Sequence, residues 1–412
     1  MANATMDHMI SLIVFIAAIL IFIGLFSQNI QAGIAYESHQ ATSTKTSDIL
    51  DTLLLNPGIP ANWGTSNGTV FGLGLQDPEF TQYQISPFSL MRLSSTGNSV
   101  EYDKTIPGIY FDNKSSSSSS FLLTSSYQSL NYSTALALLG INSTYGFQLT
   151  FTPDITVSVV ENHASSPLSL LVSANGLGFP FAGASVNYCL ILVTLPQNGA
   201  EYPSYSMQSG SKVTDQQGIA NITFPNVTDA NQVYSFIAYV HLNGVIGVGY
   251  HTRCSISEQY VVPLVQNMAS QEIVLAHSYD INNSGIAGSN LRYNTTFVIM
   301  KQDYSLSELS LNSSDTSSLV GTVTSGIGNS YPSFSLPTYT NGILIVTYED
   351  SSNQGGVVMM PWGISSLAVP VTFGGNPHGQ VWVATDMRQV TIGGIAYQVK
   401  LELWNQGAQV IG

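Results

Sequence analysis

From Met9 to Phe26 the chain runs through eighteen uncharged and almost wholly apolar residues. That is the lower length for a helix crossing a hydrocarbon layer of about 30 Å. No Lys or Arg precedes the run, and Gln28, Asn29 and Gln31 follow it, where a signal peptide would carry a small-residue cleavage site. The pattern predicts a retained transmembrane helix. Helical spacing continues beyond it, at Ile30 and Ile34 and again at Ile49, Leu50, Leu53 and Leu54. Between Ser27 and Leu55 there is no proline and a single glycine, Gly33, and Asn56-Pro57-Gly58 then ends the pattern. One helix from Asp7 to Leu55 would be about 73 Å long at 1.5 Å per residue. Its first half would lie in lipid, and its second half would turn one apolar face into a globular region.

After residue 56 the period shortens towards two, the signature of strands. A first segment, 56–155, holds the serine tract Ser115 to Ser120, a short helix over Ser133 to Leu139 stopped by Gly140, and alternating residues from Tyr145 onward. A second, 156–262, reads as strand, proline turn, strand, turn, strand and aromatic strand. Its parts are Leu168 to Ser173, Gly176 to Tyr188, Lys212 to Phe224 and Tyr234 to Val240. A third, 263–412, carries short strands over Glu272–Ala276, Thr295–Met300, Ile343–Tyr348, Val357–Met360, Val381–Ala384 and Val399–Trp404. The fold class expected is α+β: a long N-terminal transmembrane helix over residues 1–55, then a mostly-β ectodomain of two or three sandwich-like domains. Whether 263–412 stands alone, or pairs with 56–155 and makes the middle module an insertion, stays open at this level.

Composition changes the picture in one direction. Charged residues are 8% of the chain, with 10 Lys plus Arg, 24 Asp plus Glu and a net charge of -14. Nucleic acid is excluded as a partner, because phosphate binding needs clustered cations. Disorder is excluded by the 44% hydrophobic and 10% aromatic content. By the positive-inside rule, Lys45 taken alone would place the large region in the cytoplasm. Ser, Thr, Asn and Gly in place of Lys and Glu point outward instead. So do the nine Asn-x-Ser/Thr sequons that follow the membrane helix, at Asn67, Asn113, Asn131, Asn142, Asn221, Asn226, Asn282, Asn294 and Asn312. Cys189 and Cys254 lie in one predicted module and form a candidate disulfide of the outward environment. The expected setting is a single pass through the cell membrane with the large domain extracellular.

Two resemblances follow. The N-terminal region resembles the archaeal type IV pilins with class III signal peptides, over about its first 55 residues. In that family a short leader is cut after a small residue, and the mature chain then runs through a few small or polar residues, Met, an acidic residue and the apolar helix. Here Ala2 would precede the cut, Asn3-Ala4-Thr5-Met6 would open the mature chain and Asp7 would take the acidic position. The family leader carries Lys or Arg, and Met1-Ala2 carries neither. The resemblance implies that Asp7 pairs with the N-terminal amine, on Asn3, of a neighbouring subunit, since a carboxylate buried in lipid is costly unless paired. It also implies homo- or hetero-oligomers through the helix. The second resemblance, over 156–262, is to the small carboxypeptidase-regulatory or transthyretin-like (Ig-like) β-sandwiches, with Thr214-Asp215 and Gly218 forming a tight turn.

Catalytic patterns are weak. Gly64-Thr65-Ser66-Asn67-Gly68 matches a nucleophile-elbow motif but lacks the strand before it and the helix after it. Ser209 and Lys212 have Ser-x-x-Lys spacing without the partner motifs. Asp280 to Gly285 resembles half a calcium loop, yet the position of its bidentate Glu is Leu291. His241 and His251 read as structural or surface residues. No enzyme activity, metal or cofactor is expected. The function expected is a structural or adhesive pilin-like surface subunit, with a non-polymerising envelope protein (surface-layer support or carbohydrate binding) as the alternative.

Overall fold

The computed structural model describes residues 2–66, 68–80, 83–93, 100–102, 109–111, 130–141, 144–176, 178–196, 202–255, 261–267, 272–278, 290–301, 303–308, 320–324, 333–335, 342–349, 353–362, 368, 370–380 and 382–406. Helix α1 spans Ala2–Leu55 without a break. Two short helices follow, α2 (Pro87–Leu93) and α3 (Tyr132–Leu138). The first strands are β1 (Val100–Tyr102), β2 (Ile109–Phe111), β3 (Tyr145–Pro153), β4 (Ile155–His163), β5 (Leu168–Gly176), β6 (Phe179–Pro180), β7 (Ser185–Thr194) and β8 (Ser204–Val213). Next come β9 (Ile219–Phe224), β10 (Tyr234–Leu242), β11 (Val245–Arg253), β12 (Val261–Asn267), β13 (Glu272–Ser278), β14 (Asn290–Met300) and β15 (Leu306–Glu308). The last are β16 (Val320–Thr324), β17 (Ser333–Ser335), β18 (Gly342–Glu349), β19 (Gly355–Trp362), β20 (Val371–Gly374), β21 (Ala384–Ile392) and β22 (Ile395–Asn405). The fold is one long apolar helix followed by a mostly-β region.

The helix-backed sheet has the order β20-β3-β22-β21. Strand β3 lies between β20 and β22, with Val371 opposite Phe151 and Leu401 opposite Leu149. Residues 145–153 and 371–405 therefore share one sheet, and β4 to β19 are inserted between them in sequence. The strands of 263–412 are distributed over three sheets. The inward residues of this sheet, Phe147, Leu149, Phe151, Val399, Leu401 and Leu403, meet Leu50, Leu53 and Leu54 of α1 in one core.

The inserted strands stack in layers. An outer sheet, β4-β5-β6 with β9 beside β5, packs on a central sheet, β11-β10-β7-β8. Between them lie Leu170, Val172, Ile222, Leu190, Phe236 and Ala238. Residues of opposite parity on the central sheet, Cys189, Ile191, Ile237 and Tyr239, face Val298, Ile345, Val357 and Met359 of a third sheet, β15-β14-β18-β19. The central sheet is thus buried on both faces, which is why Tyr234 to Val240 is apolar at every position but the buried Ser235 instead of alternating. A further sheet joins β1, β2, β13, β12 and β17, with β2 and β13 parallel.

The disulfide between Cys189 and Cys254 is not formed, and the Cys254 sulfur instead meets the backbone of Val357, whose N–H donates to it at 3.4 Å. Register gives the reason. Cys189 lies opposite Ile237, which lies opposite Tyr250, so Cys254 is two strands away and four residues further along. At strand spacings of about 4.8 Å and rises of about 3.3 Å that separation is on the order of 15 Å, whereas a disulfide requires Cα atoms within about 7 Å. Burial pushes the Cys189 thiol up to about 11.

Candidate functional site

The feature that sets this chain apart is α1. From His8 to Ala41 every residue is exposed except the partly covered His39, and burial begins at Thr42. The helix is long and apolar enough to cross a membrane. Residues 27–41, between the apolar run and Thr42, would span about 22 Å.

Above that stalk the helix is anchored by shape and by polar contacts. Thr42 and Thr46 are buried because their hydroxyls donate to the carbonyls of Ser38 and Thr42, at 2.8 and 2.7 Å, leaving their methyl groups to the core. Ile49, Leu50, Leu53 and Leu54 complete the buried stripe. Positions 42, 46, 49, 50 and 53 lie on one side of a helix turning about 100° per residue; Ile30 falls on the opposite side and Ile34 on the flank next to it. Ile34 is 63% exposed.

Arg388 on β21 holds the helix laterally. Its Nη2 donates to Ser47 Oγ at 3.0 Å, its Nε lies 3.5 Å from Asp51 Oδ1, and Nη1 pairs with Asp386. Burial would lower the guanidinium pKa, and the two carboxylates outweigh that and raise it. Lower down, His39 stacks on Trp382 with ring centroids 4.2 Å apart. At the top, the returning chain satisfies helix-end carbonyls: Leu75 N donates to Leu53 O at 2.8 Å and Gln76 N to Asn56 O at 3.0 Å. That approach requires glycine at 74, where a Cβ would sit 2.3 Å from Asn56 O. Trp63 closes the corner, with Nε1 donating to Gly74 O at 2.7 Å, Arg92 lying over its ring and Nη1 of Arg92 donating to its carbonyl.

The second polar constellation ties the two sandwich sheets together. Glu161 on β4 accepts from Tyr234 Oη at 2.6 Å and from Arg253 Nε and Nη2 at 3.0 and 2.5 Å, while His251 Nε2 lies 3.8 Å away. The Arg253 guanidinium also lies over the Tyr234 ring. Burial works to raise the Glu161 pKa; the Tyr234 and Arg253 hydrogen bonds and the Arg253 charge outweigh it and hold the carboxyl below its ordinary value. This is a brace: besides the carboxylate, Arg253 donates to Ala230 O at 2.8 Å and to Ala164 O at 2.9 Å, so the group ties the strands to two neighbouring turns.

The sequence-predicted residues are dispersed. Asn3 and Asp7 fall in the first turns of α1, and their side chains lie outside the described residues. Asn67, Asn113, Asn142, Asn282 and Asn312 lie outside them too, as does the Asp280 to Gly285 loop. Asn131, Asn221, Asn226 and Asn294 are described. Trp63–Thr65 is a 3-10 turn, with neither strand nor helix around Ser66. Ser209 and Lys212 lie on strand β8. Among the described residues, no three His, Cys, Asp or Glu side chains come together to hold a metal ion. The arginines went unread in the sequence, although their scarcity was a signal. All four in the chain occupy defined positions: Arg92 on Trp63, Arg253 on Glu161, Arg292 on the buried Glu349 at 3.2 Å, and Arg388 at the helix junction.

No family model matches this chain, and no curated protein matches it. Solved structures give local likenesses. The solution structure of CsgH from R. palustris is 12% identical, covering 24% of this chain and 91% of that one, with a TM-score of 0.17. A Salmonella alpha-2-macroglobulin mutant is 10% identical over 57% of this chain and 17% of that one, with a TM-score of 0.21. Red sea bream transglutaminase is 10% identical over 50% and 31%, with a TM-score of 0.17. This chain thus spans a small part of the latter two, and scores this low carry no argument about fold or function.

Proposed function

We propose that this protein is a membrane-anchored cell-surface subunit of pilin-like construction, with a structural or adhesive role. It crosses the membrane once through α1 and presents its β layers outside the cell. The observation that carries this reading is the division of one unbroken helix into two environments. Residues 8–41 are exposed apart from the partly covered His39 and are mostly apolar, whereas the stripe from Thr42 to Leu54 is locked on a sheet. A soluble protein that exposed so large an apolar surface would aggregate; lipid removes the lower part of it from water. Ile30, on the side away from the sheet, and Ile34, on the flank next to it, remain above the apolar run and suit packing against the helix of a second subunit.

In this reading Asp7 sets the register between subunits by pairing with the amine of Asn3 in a neighbour, and the β layers decorate the assembly. Asp7→Ala tests it. The expected result is a variant that still inserts into membranes but no longer sediments or migrates as a high-mass assembly. Unchanged assembly would instead favour a single-pass envelope protein that does not polymerise. N-terminal sequencing of the membrane-purified protein adds a second reading: a start at Asn3 supports pilin-type processing, and a start at Met1 supports an uncleaved anchor.

A further inference from the structure

Four of the nine sequons that follow the membrane helix fall wholly on described residues, and their surroundings differ. Asn131 caps α3 and is exposed; its Oδ1 accepts from Thr134 N at 2.8 Å and from Ser133 Oγ at 2.9 Å. The cap uses only the oxygen and leaves Nδ2 directed to other partners. Asn226 is exposed in the turn after β9. Asn221 and Thr223 lie on the outward face of β9, because Ala220, Ile222 and Phe224 face the sandwich core. Asn221 Oδ1 accepts from Ser169 Oγ at 2.7 Å, again engaging the oxygen.

Asn294 is the opposite case. It is half-buried in the middle of β14, with Val320 of β16 on one side and Thr347 of β18 on the other. Its Nδ2, the atom a glycan would occupy, donates to Pro203 O at 2.8 Å. The sequon hydroxyl, on Thr296, is 2% exposed.

We infer that the folded chain is N-glycosylated at Asn131, Asn221 and Asn226 and is refused at Asn294. The inference rests on the outward-facing reading above. The co-reactant is a polyprenyl-phosphate-linked oligosaccharide. In the transfer, Nδ2 forms a bond to the anomeric carbon, the anomeric C–O bond to the lipid phosphate breaks, the phosphate leaves with that electron pair, and the proton lost from Nδ2 neutralises it in part. The site at Asn221 has a further consequence. Val160, Leu171 and Asn221 are consecutive partners across β4, β5 and β9. Val160 is 57% exposed on the face that Asn221 shares. A sugar on Asn221 would lie beside this apolar row and shield it.

The test is glycopeptide mapping of the full chain purified from its own membranes, together with protease shaving of intact cells. The expected result is glycan mass on the peptides bearing Asn131, Asn221 and Asn226, an unmodified Asn294, and release of ectodomain peptides by shaving. Each of Asn131→Asp, Asn221→Gln and Thr228→Ala should remove one glycan; the first keeps the helix cap, and the second keeps the acceptor for Ser169. Glycan on Asn294, or a bare asparagine at any of the other three, overturns the assignment of that site. Bare sequons with successful shaving would sink the glycan inference and leave the outward reading standing. Bare sequons on a chain protected from shaving would sink both.

Discussion

Glu161 holds together two sheets that touch only through side chains at that edge. Replacing it with Gln removes the charge from a group that Tyr234 and Arg253 both address. The expected cost is about 1–2 kcal/mol, the difference between hydrogen bonds to a charged acceptor and to the neutral amide oxygen that replaces it. Denaturant unfolding of the purified protein would measure it, and an unchanged midpoint would show the brace to be idle. The pH dependence has a definite sign. Glu161 is held below the ordinary carboxylate value of 4.5, so its stabilisation is complete above that value and is lost as pH falls through the folded one. For His251, burial lowers the pKa below 6.5, and the Arg253 charge adds to that against the pull of Glu161. The unfolded chain therefore takes up this proton first, and stability begins to fall as pH drops below 6.5. Thermal melts should decline in two steps, the upper one absent in His251→Phe. A melting temperature that rises on acidification across that range would contradict this arrangement. At this scale little was legible from sequence. Nothing around His251 or Arg253 announces Glu161, which is 92 residues from Arg253 in sequence and is brought to it only by the packing of one sheet on the other.

Among the elements, α1 was the most legible, because an eighteen-residue apolar run and a proline-glycine stop are local signals. The helix continues through the weak stretch Ala41 to Lys45 because Thr42 and Thr46 turn their hydroxyls back onto the helix and bury their methyl groups. Strand β11, on which His251 was expected to lie, spans Val245–Arg253 and carries two glycines, which lower strand propensity. Its structure explains them. A Cβ on Gly249 would sit 2.5 Å from Val157 and one on Gly247 2.8 Å from Ile155, so β4 can approach β11 only over glycine. Gly249→Val should cost about 1–3 kcal/mol by overpacking, read as a lower denaturation midpoint; a neutral effect would mean that the sheets separate easily. A strand was expected over Val381–Ala384, but β21 begins at Ala384 and runs to Ile392. The polar residues Thr385, Asp386 and Arg388 hid it, and Arg388 is polar because it serves the helix junction. At that junction Leu53→Ala should cost about 2–5 kcal/mol. It should loosen the head without releasing the protein from the membrane, which limited proteolysis after membrane flotation would show.

For the whole molecule, the arrangement follows from the direction of β3. Tyr145 pairs with Asn405, and β22 runs antiparallel beside β21, whose start lies near His39 and whose end lies near the top of α1. Strand β3 therefore runs away from the stalk and feeds the inserted layers through Asp154, and β20 returns beside it. No local signal in the sequence marks this insertion, since it depends on a pairing between residues 151 and 371. The consequence is a division of labour along the long axis: an apolar stem, an anchored sheet around the helix top, and the inserted β layers beyond it. The stem carries the central claim, that subunits assemble through the side of α1 facing away from the sheet. The direct measurement is disulfide cross-linking in membranes of Ile34→Cys, on the flank of that side, compared with Ala35→Cys, on the sheet side, and with the unmodified chain, whose Cys189 is buried. The account predicts covalent dimers for Ile34→Cys and few for the other two. Membrane-inserted Ile34→Cys that stays monomeric under oxidation would contradict it.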